Sequence, residues 1–330
     1  MNRTSLSRLL SAGALALATL ASLPAQAGPF SGLFVFGDSL SDNGNNALAI
    51  GINAAQTIPN NSYVPTFPYA SGVYSNGPVW ANYFAAMLGV PLTPSLAGGG
   101  DYAFGGATTS GAGFPYSLSA QAGLYLSSHG NAVSADALYV VAGGGNNARA
   151  ALTAIAANPA NAGVITAAAA IAYATDVGNI VDQLQAAGAQ HIVVWDTPNL
   201  GGAPAVIAGG GAALGSFIAG TMNAALGVRL AGEAGVTIFD VFGLSSMIAA
   251  NPAAFGFTNT TDACGAILGA ICSQYAYWDG IHPTTAAHMA IANAMAMAVP
   301  EPQTYALFSV GLVALALHTR RRVKRPAVAA

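Results

Sequence analysis

Charge is what this sequence has least of. Of 330 residues only 6% are charged, 9 Lys+Arg and 12 Asp+Glu. A disordered chain is charge-rich and apolar-poor, so that class is excluded. The few basic residues crowd the two ends: Arg3 and Arg8 at one, Arg320, Arg321, Arg322, Lys324 and Arg325 at the other. Between them stand only Arg149 and Arg229. Over residues 28–299, two basic residues face eleven acidic ones, a formal charge of −9. Such a body lacks the Lys/Arg clusters that displace counterions from nucleic acid, and no nucleic-acid partner is expected. Cysteine is almost as scarce. Two of them cannot furnish a four-ligand zinc site, and no second pair lies near.

What is present in quantity is apolar residues, 54% of the chain, and 40 Gly. That is enough for a substantial core. The first 27 residues read as a secretory signal peptide. Arg3 and Arg8 supply the basic region, Leu9 to Leu23 the apolar run, and Ala25-Gln26-Ala27 the cleavage site. Export bears on the cysteines. In an oxidising compartment Cys264 and Cys272 are expected to close a nine-residue disulfide loop, worth about 2.6 kcal/mol in the chain-entropy treatment.

The other end carries Val299-Pro300-Glu301-Pro302, an apolar run from Tyr305 to Leu317, and Arg320-Arg321-Arg322. The run is shorter than the ~20 residues that span a bilayer comfortably, so it makes a marginal membrane anchor. The terminal cations would hold that end on the cytoplasmic side. This arrangement resembles a PEP-CTERM sorting tag. The resemblance implies a Gram-negative type bacterium and a C-terminal sorting protease, exosortase-like, as partner. The product would sit in the cell envelope, on the surface, or free after processing. A plain membrane anchor is the alternative. The chain is thus divided into a signal peptide (1–27), one domain (28–299) and a sorting segment (300–330).

Within 28–299, short β-rich runs end at polar turns: Leu33–Phe36, Leu138–Val141, His191–Trp195 and Val236–Phe239. They lack period-two alternation, as expected of parallel strands covered on both faces. A weaker strand is expected over 102–104. Ala-rich stretches at 79–88, 162–187, 212–234 and 284–298 read as helices. Segments 43–78 and 98–118 read as loops. The alternation predicts an α/β sheet with helices on both sides and a ligand crevice beyond the strands' carboxyl ends.

Candidates for chemistry are few. His191 opens an apolar strand, His129 sits in a turn without acidic neighbours, and His288 falls on a helix, where a solvated or capped ring is expected. His282 differs. In Trp278-Asp279-Gly280-Ile281-His282-Pro283-Thr284, Asp279 is close enough to accept the imidazole Nδ1 proton and fix its tautomer. The nucleophile candidate is Ser39, directly after a strand and before an expected helix start, whose amides would favour negative charge. Taken singly, a turn-stapling Asp–His pair and an N-cap serine are the better readings.

Together, Phe34-Val35-Phe36-Gly37-Asp38-Ser39-Leu40-Ser41-Asp42 and Asp279-Gly280-Ile281-His282-Pro283-Thr284 resemble the GDSL, or SGNH, esterases and lipases. Two intermediate blocks fall in the same order, Asp101 to Ala107 and Gly144-Gly145-Asn146-Asn147, so the resemblance runs from about 31 to 298. Pro68-Tyr69 and Ser75-Asn76-Gly77-Pro78-Val79-Trp80 are similar to secreted bacterial members. The resemblance implies a three-layer α/β/α sandwich with a mainly parallel sheet, of the SGNH, flavodoxin-like type. It assigns Ser39, His282 and Asp279 as a catalytic triad. The oxyanion hole falls to the Ser39 and Gly106 N–H groups, Gly105 being the alternative, and to the Asn146 amide. Two positions depart from the family: Asn147 stands where Asp is usual and Val73 where Arg is common.

The implied activity is hydrolysis of a lipid or short-chain ester through an acyl-enzyme, with no cofactor or metal. Carbohydrate O-deacetylation and acyl transfer are variants on the same site. A non-catalytic matrix-binding surface protein is the alternative outside enzymology.

Overall fold

The computed structural model describes residues 30–63 and 66–299. The expected signal peptide and sorting segment, with their apolar runs, lie outside the described residues. Four strands, β1 (Leu33–Gly37), β2 (Leu138–Ala142), β3 (His191–Trp195) and β4 (Val236–Phe239), lie side by side in that order, all parallel. Strands β1, β2 and β3 are apolar on both faces, and each face finds its own partner layer; β4 departs from that expectation, since its middle residues Thr237 and Ile238 are exposed at the sheet edge. Leu33, Val35, Leu138, Val140, Val193, Trp195 and Phe239 belong to one buried cluster. The intervening Phe36, Tyr139, Val141, Ile192 and Val194 belong to another.

The helices divide accordingly. In chain order they are α1 (Asn45–Ile50), α2 (Trp80–Leu88), α3 (Leu118–Ser128), α4 (Gly145–Ala157), α5 (Ala162–Ala186), α6 (Pro204–Ala208), α7 (Ala212–Arg229), α8 (Val241–Ala250) and α9 (Thr285–Ala298). Trp80 and Phe84 of α2, Leu244 and Ile248 of α8, and Ile291 and Met295 of α9 cover the first face. Side chains of α3, α4, α5 and α7 cover the second. The result is an α/β/α sandwich. The long helix α5 is apolar enough to suit a membrane span. Its buried residues Thr166, Ala170, Tyr173, Val177, Val181 and Leu184 recur at three- and four-residue spacing instead, the stripe of a helix packed on a sheet.

The expected strand at 102–104 is not a regular strand. Asp101 makes a single parallel bridge to Val35. The Tyr102 and Phe104 amides donate to the carbonyls of Val35 and Gly37 on the free edge of β1. A side chain takes the peptide group that a longer ladder would need: Gly37 N, which would donate to the Tyr102 carbonyl, donates to Gln121 Oε1 at 2.8 Å instead. Counting that edge segment, the spatial order by position in the chain is 2-1-3-4-5, the flavodoxin-like order.

Helix boundaries also differ in places. The stretch expected to run to 234 stops at Arg229, with Gly232 in a left-handed conformation soon after. Helices α3, α4 and α8 fall where no helix was expected, and α1 lies within the segment expected as a loop. Ser117 caps α3 by accepting from Ala120 N, and Asp240 caps α8 by accepting from Gly243 N. Beyond α8, β5 (Asn259–Ala263) and β6 (Tyr275–Tyr277) pair in a small separate sheet. Between them Cys264 and Cys272 are bonded, with Cα atoms 5.5 Å apart.

Candidate active site

The site begins where β1 runs out. Gly37 is its last residue, and a Cβ there would lie 2.8 Å from both the Ala142 carbonyl oxygen and Ser41 Oγ, so only glycine lets the chain turn this close to β2. The buried Gln121 of α3 holds the turn from below. Its amide accepts from Gly37 N at 2.8 Å and donates to Gly37 O at 2.8 Å and Tyr116 O at 2.7 Å. Asp38 closes the turn by accepting from the Leu40, Ser41 and Asp42 amides, the first through its carboxylate and the others through its carbonyl. Ser39 therefore sits in a tight turn. It is not at a helix start as expected, because α1 begins only at Asn45.

Asp42 does the anchoring that a helix would have done. Its carboxylate accepts from the amides of Gly44, Asn45, Asn46 and Gly105 at 2.7–3.2 Å. Burial raises its pKa and these four N–H groups oppose the rise. Asp101 is wholly buried; burial first, and the charge of Asp42 second, lift its carboxyl well above the ordinary range.

The segment from Asp279 to His282 approaches from the far end of the chain. His282 Nε2 lies 2.9 Å from Ser39 Oγ, and His282 Nδ1 lies 2.7 Å from Asp279 Oδ2. Asp279 Oδ1 also accepts from Ile281 N and His282 N, and Tyr69 OH donates to Oδ2 at 2.6 Å. Burial alone would raise the Asp279 pKa. The His282 charge and the hydrogen bonds from His282 and Tyr69 outweigh it, and the net shift is downward. All three residues are buried, Ser39 the least at 8% exposed. The Tyr74 ring lies 5.5 Å from the imidazole, and its hydroxyl accepts from Asn46 Nδ2.

Asn146 lies in the first turn of α4 and lines the same pocket as Ser39 and His282. Its Nδ2 donates to Ala107 O at 2.8 Å, and its Oδ1 accepts from Arg149 Nη1 at 3.0 Å. Gly106 precedes Ala107 on the exposed rim with φ +87°, a conformation that suits glycine. Of the two glycines, Gly105 has its N–H committed to Asp42. Asn147 points away from the pocket. Its Oδ1 accepts from Thr109 N and its Nδ2 donates to Thr109 Oγ1, which itself donates to Asp176 Oδ2 at 2.7 Å. The amide is thus required here, since the Thr109 hydroxyl has no second proton to give. Val73 is simply buried in the core beside α2.

The other histidines among the described residues stand apart from this row. Phe30 packs edge-on against His191, and His129 Nδ1 meets Tyr125 O at 2.9 Å. His288 departs from the expected solvated or capped ring, since neither ring nitrogen has a hydrogen-bond partner among the described residues. It is fully buried, and burial first, with the His282 charge second, lowers its pKa to about 3.

A mainly apolar channel leads inward from Ser39. Leu200, Val241, Leu244, Ile248, Ala287 and Ile291 line it between α8 and α9. Asp38, Asn146 and Arg149 lie at its polar end. Sequence reasoning missed Arg149, Gln121 and Tyr69. Pro68-Tyr69 was singled out, but nothing in it indicated the bond to Asp279.

The family model for the GDSL-like Lipase/Acylhydrolase matches residues 33–295, and the chain belongs to that family. Residues 298–322 match the PEP-CTERM protein-sorting motif. Lipase 1 of Photorhabdus luminescens is 33% identical over 181 residues, which are 54% of this chain and 24% of that protein. Acetylajmalan esterase 2 of Rauvolfia serpentina is 35% identical over 88 residues, 24% of each chain. An uncharacterized protein encoded between trpE and trpG of Pseudomonas putida is 30% identical over 306 residues, 80% of this chain and 48% of its own. The chain therefore spans between a quarter and a half of the length of these relatives.

Two predictions follow from the hydrogen bonds and the charges. Replacing Asn147→Asp, the residue usual in the family, sets two carboxylates against one Thr109 hydroxyl. Urea denaturation should show a loss of about 1–3 kcal/mol; unchanged stability would contradict the assigned direction of these bonds. Burial, opposed by the Leu40 N–H, His282 and Arg149, raises the Asp38 pKa from 3.8 to about 6. The neutral carboxyl thus favours the folded state at low pH, and that advantage is lost as pH rises through about 6. Asp38→Asn should gain on the wild type by about 2 kcal/mol between pH 4 and 8, read from urea midpoints at each pH. A constant difference would mean that Asp38 ionises freely in the fold.

Proposed function

We propose that this protein is an exported serine hydrolase of carboxylic esters, with Ser39 as nucleophile, His282 as general base and then acid, and Asp279 as the orienting carboxylate. The observation that carries this reading is the unbroken row from Ser39 Oγ through both imidazole nitrogens to Asp279, each step below 3 Å. Asp279 accepts at Nδ1, which leaves the Nε2 lone pair facing the serine hydroxyl, the tautomer a base needs. Ser39 Oγ attacks the ester carbonyl as its proton passes to His282. The Ser39 and Gly106 N–H groups and the free Asn146 Nδ2 proton receive the oxyanion. His282 then gives the proton to the leaving alcohol. Water, deprotonated by the same imidazole, cleaves the acyl-enzyme.

The apolar channel supports an acyl chain as the portion of substrate that enters between α8 and α9. The lipase and esterase names among the relatives agree with an ester substrate. The disulfide and the PEP-CTERM motif support an enzyme of the envelope or the cell exterior, delivered by a signal peptide and a sorting protease.

Ser39→Ala should fold with an unchanged thermal midpoint, lose fluorophosphonate labelling, and lose about 10³-fold or more in p-nitrophenyl ester hydrolysis. Retained turnover would remove Ser39 from the mechanism. Ala287→Leu narrows the channel. It should lower the ratio of kcat/KM for p-nitrophenyl octanoate to that for the acetate by about tenfold. An unaltered ratio would place the acyl chain elsewhere.

A further inference from the structure

The region from 28 to 299 has two cations besides its histidines, and they are placed very differently. Arg229 is on the surface, paired with Asp182 at 2.5 Å and Glu233 at 3.1 Å. Arg149 stands at the polar end of the channel and has no carboxylate within salt-bridge reach among the described residues. Its contacts are instead an amide and a phenol. Nη1 donates to Asn146 Oδ1 at 3.0 Å, Nη2 donates to Tyr63 OH, and the guanidinium lies 4.3 Å from the centre of the Tyr63 ring. Bond and ring contact together fix the guanidinium plane, so its reach toward Asn146 is set.

We propose that Arg149 is a positioning residue for the Asn146 amide, with Tyr63 as its clamp. The inference rests on the reading that Asn146 donates to the oxyanion. A primary amide can rotate to present either its oxygen or its nitrogen. Here Arg149 occupies the oxygen and Ala107 O takes one Nδ2 proton. The second proton is left with a fixed direction. Donation to Oδ1 from a cation also draws electron density from the nitrogen and makes Nδ2–H a stronger donor. Tyr63 extends the arrangement toward the loop that carries His282. The neighbouring Ser62 carbonyl accepts from Gly280 N at 2.7 Å, within the loop that carries Asp279 and His282. The clamp therefore holds the oxyanion side in register with the acid–base side.

The test is a double-mutant cycle on the purified protein, reading kcat and KM for p-nitrophenyl acetate with thermal midpoints alongside. Arg149→Met should lower kcat about tenfold with KM within about twofold, the pattern of an interaction felt in the transition state. Asn146→Ala should lose about 10²-fold, and adding Arg149→Met to it should cost nothing further. Arg149→Lys, which can reach Oδ1 but not fork to Tyr63, should recover part of kcat. Tyr63→Phe keeps the ring and loses the bond, and should give a smaller loss that likewise vanishes beside Asn146→Ala. It carries the cycle if Arg149→Met fails to fold. Losses that multiply, or a raised KM with kcat intact, would overturn the proposal; the latter marks a direct substrate contact. A normal kcat in Asn146→Ala, with Ser39→Ala inactive, would overturn both this inference and the oxyanion role while leaving the nucleophile in place. Activity surviving Ser39→Ala would instead sink the hydrolase reading itself.

Discussion

One hydrogen bond spans 243 positions of the chain and constrains everything near it: His282 Nε2 to Ser39 Oγ. A contact at 2.9 Å between two turns tolerates little drift in either, so both turns must be pinned independently. The structure pins them with buried carboxylates. Asp42 gathers four backbone amides under the serine turn, and Asp279 gathers two under the histidine. Loops that must hold a shape without regular secondary structure have unpaired N–H groups to satisfy. A carboxylate, with its several acceptor sites, satisfies more of them than any neutral side chain. In a chain with so few acids, those placed in these loops are a large share of the total.

The price of that solution is electrostatic. Asp38, Asp42 and Asp101 are each buried, and burial drives each pKa upward. Asp279 alone among the site's acids is shifted the other way, because it faces an imidazole. The four carboxyls thus divide by partner. Those whose carboxylates hydrogen-bond only to backbone amides serve geometry, and the one hydrogen-bonded to a titratable ring is poised to stabilise positive charge. Environment, more than residue type, separates the structural acids from the acid suited to chemistry.

Much of the architecture was legible because two signals do not depend on long-range contacts. Runs such as Leu138–Ala142, apolar at every position, are recognisable as strands covered on both faces, and the polar turn after each marks the crevice. The sheet order was implied only by the flavodoxin-like resemblance and not by the runs themselves, and the way 101–104 joins the β1 edge by a single bridge was not legible. Such pairing depends on which amides side chains claim first. Helix α4 was hidden by Gly143-Gly144-Gly145, which reads as a turn until Gly144 is seen at φ +114° directly before the helix. The site followed the same division. Ser39, Asp279 and His282 lie in short recognisable blocks. Arg149 and Tyr63 meet across 86 positions with no local pattern. Gln121 is invisible for a related reason: a glutamine on a helix announces nothing until the turn it staples is in place.

Asn147 shows how such hidden contacts change the meaning of a visible departure. Read from the motif alone, an amide in place of a carboxylate suggests a weakened site. In the fold, the question becomes how many protons are available along the line from Asn147 through Thr109 to Asp176. The Thr109 hydroxyl has one, and Asp176 takes it. The neighbour on the other side must then be a donor, which Asn is and an ionised Asp is not. The substitution and the Thr109–Asp176 pair therefore form one unit, and that unit holds the strand of loop from which Ala107 O reaches Asn146. The residue that breaks the motif supports the residue that keeps it.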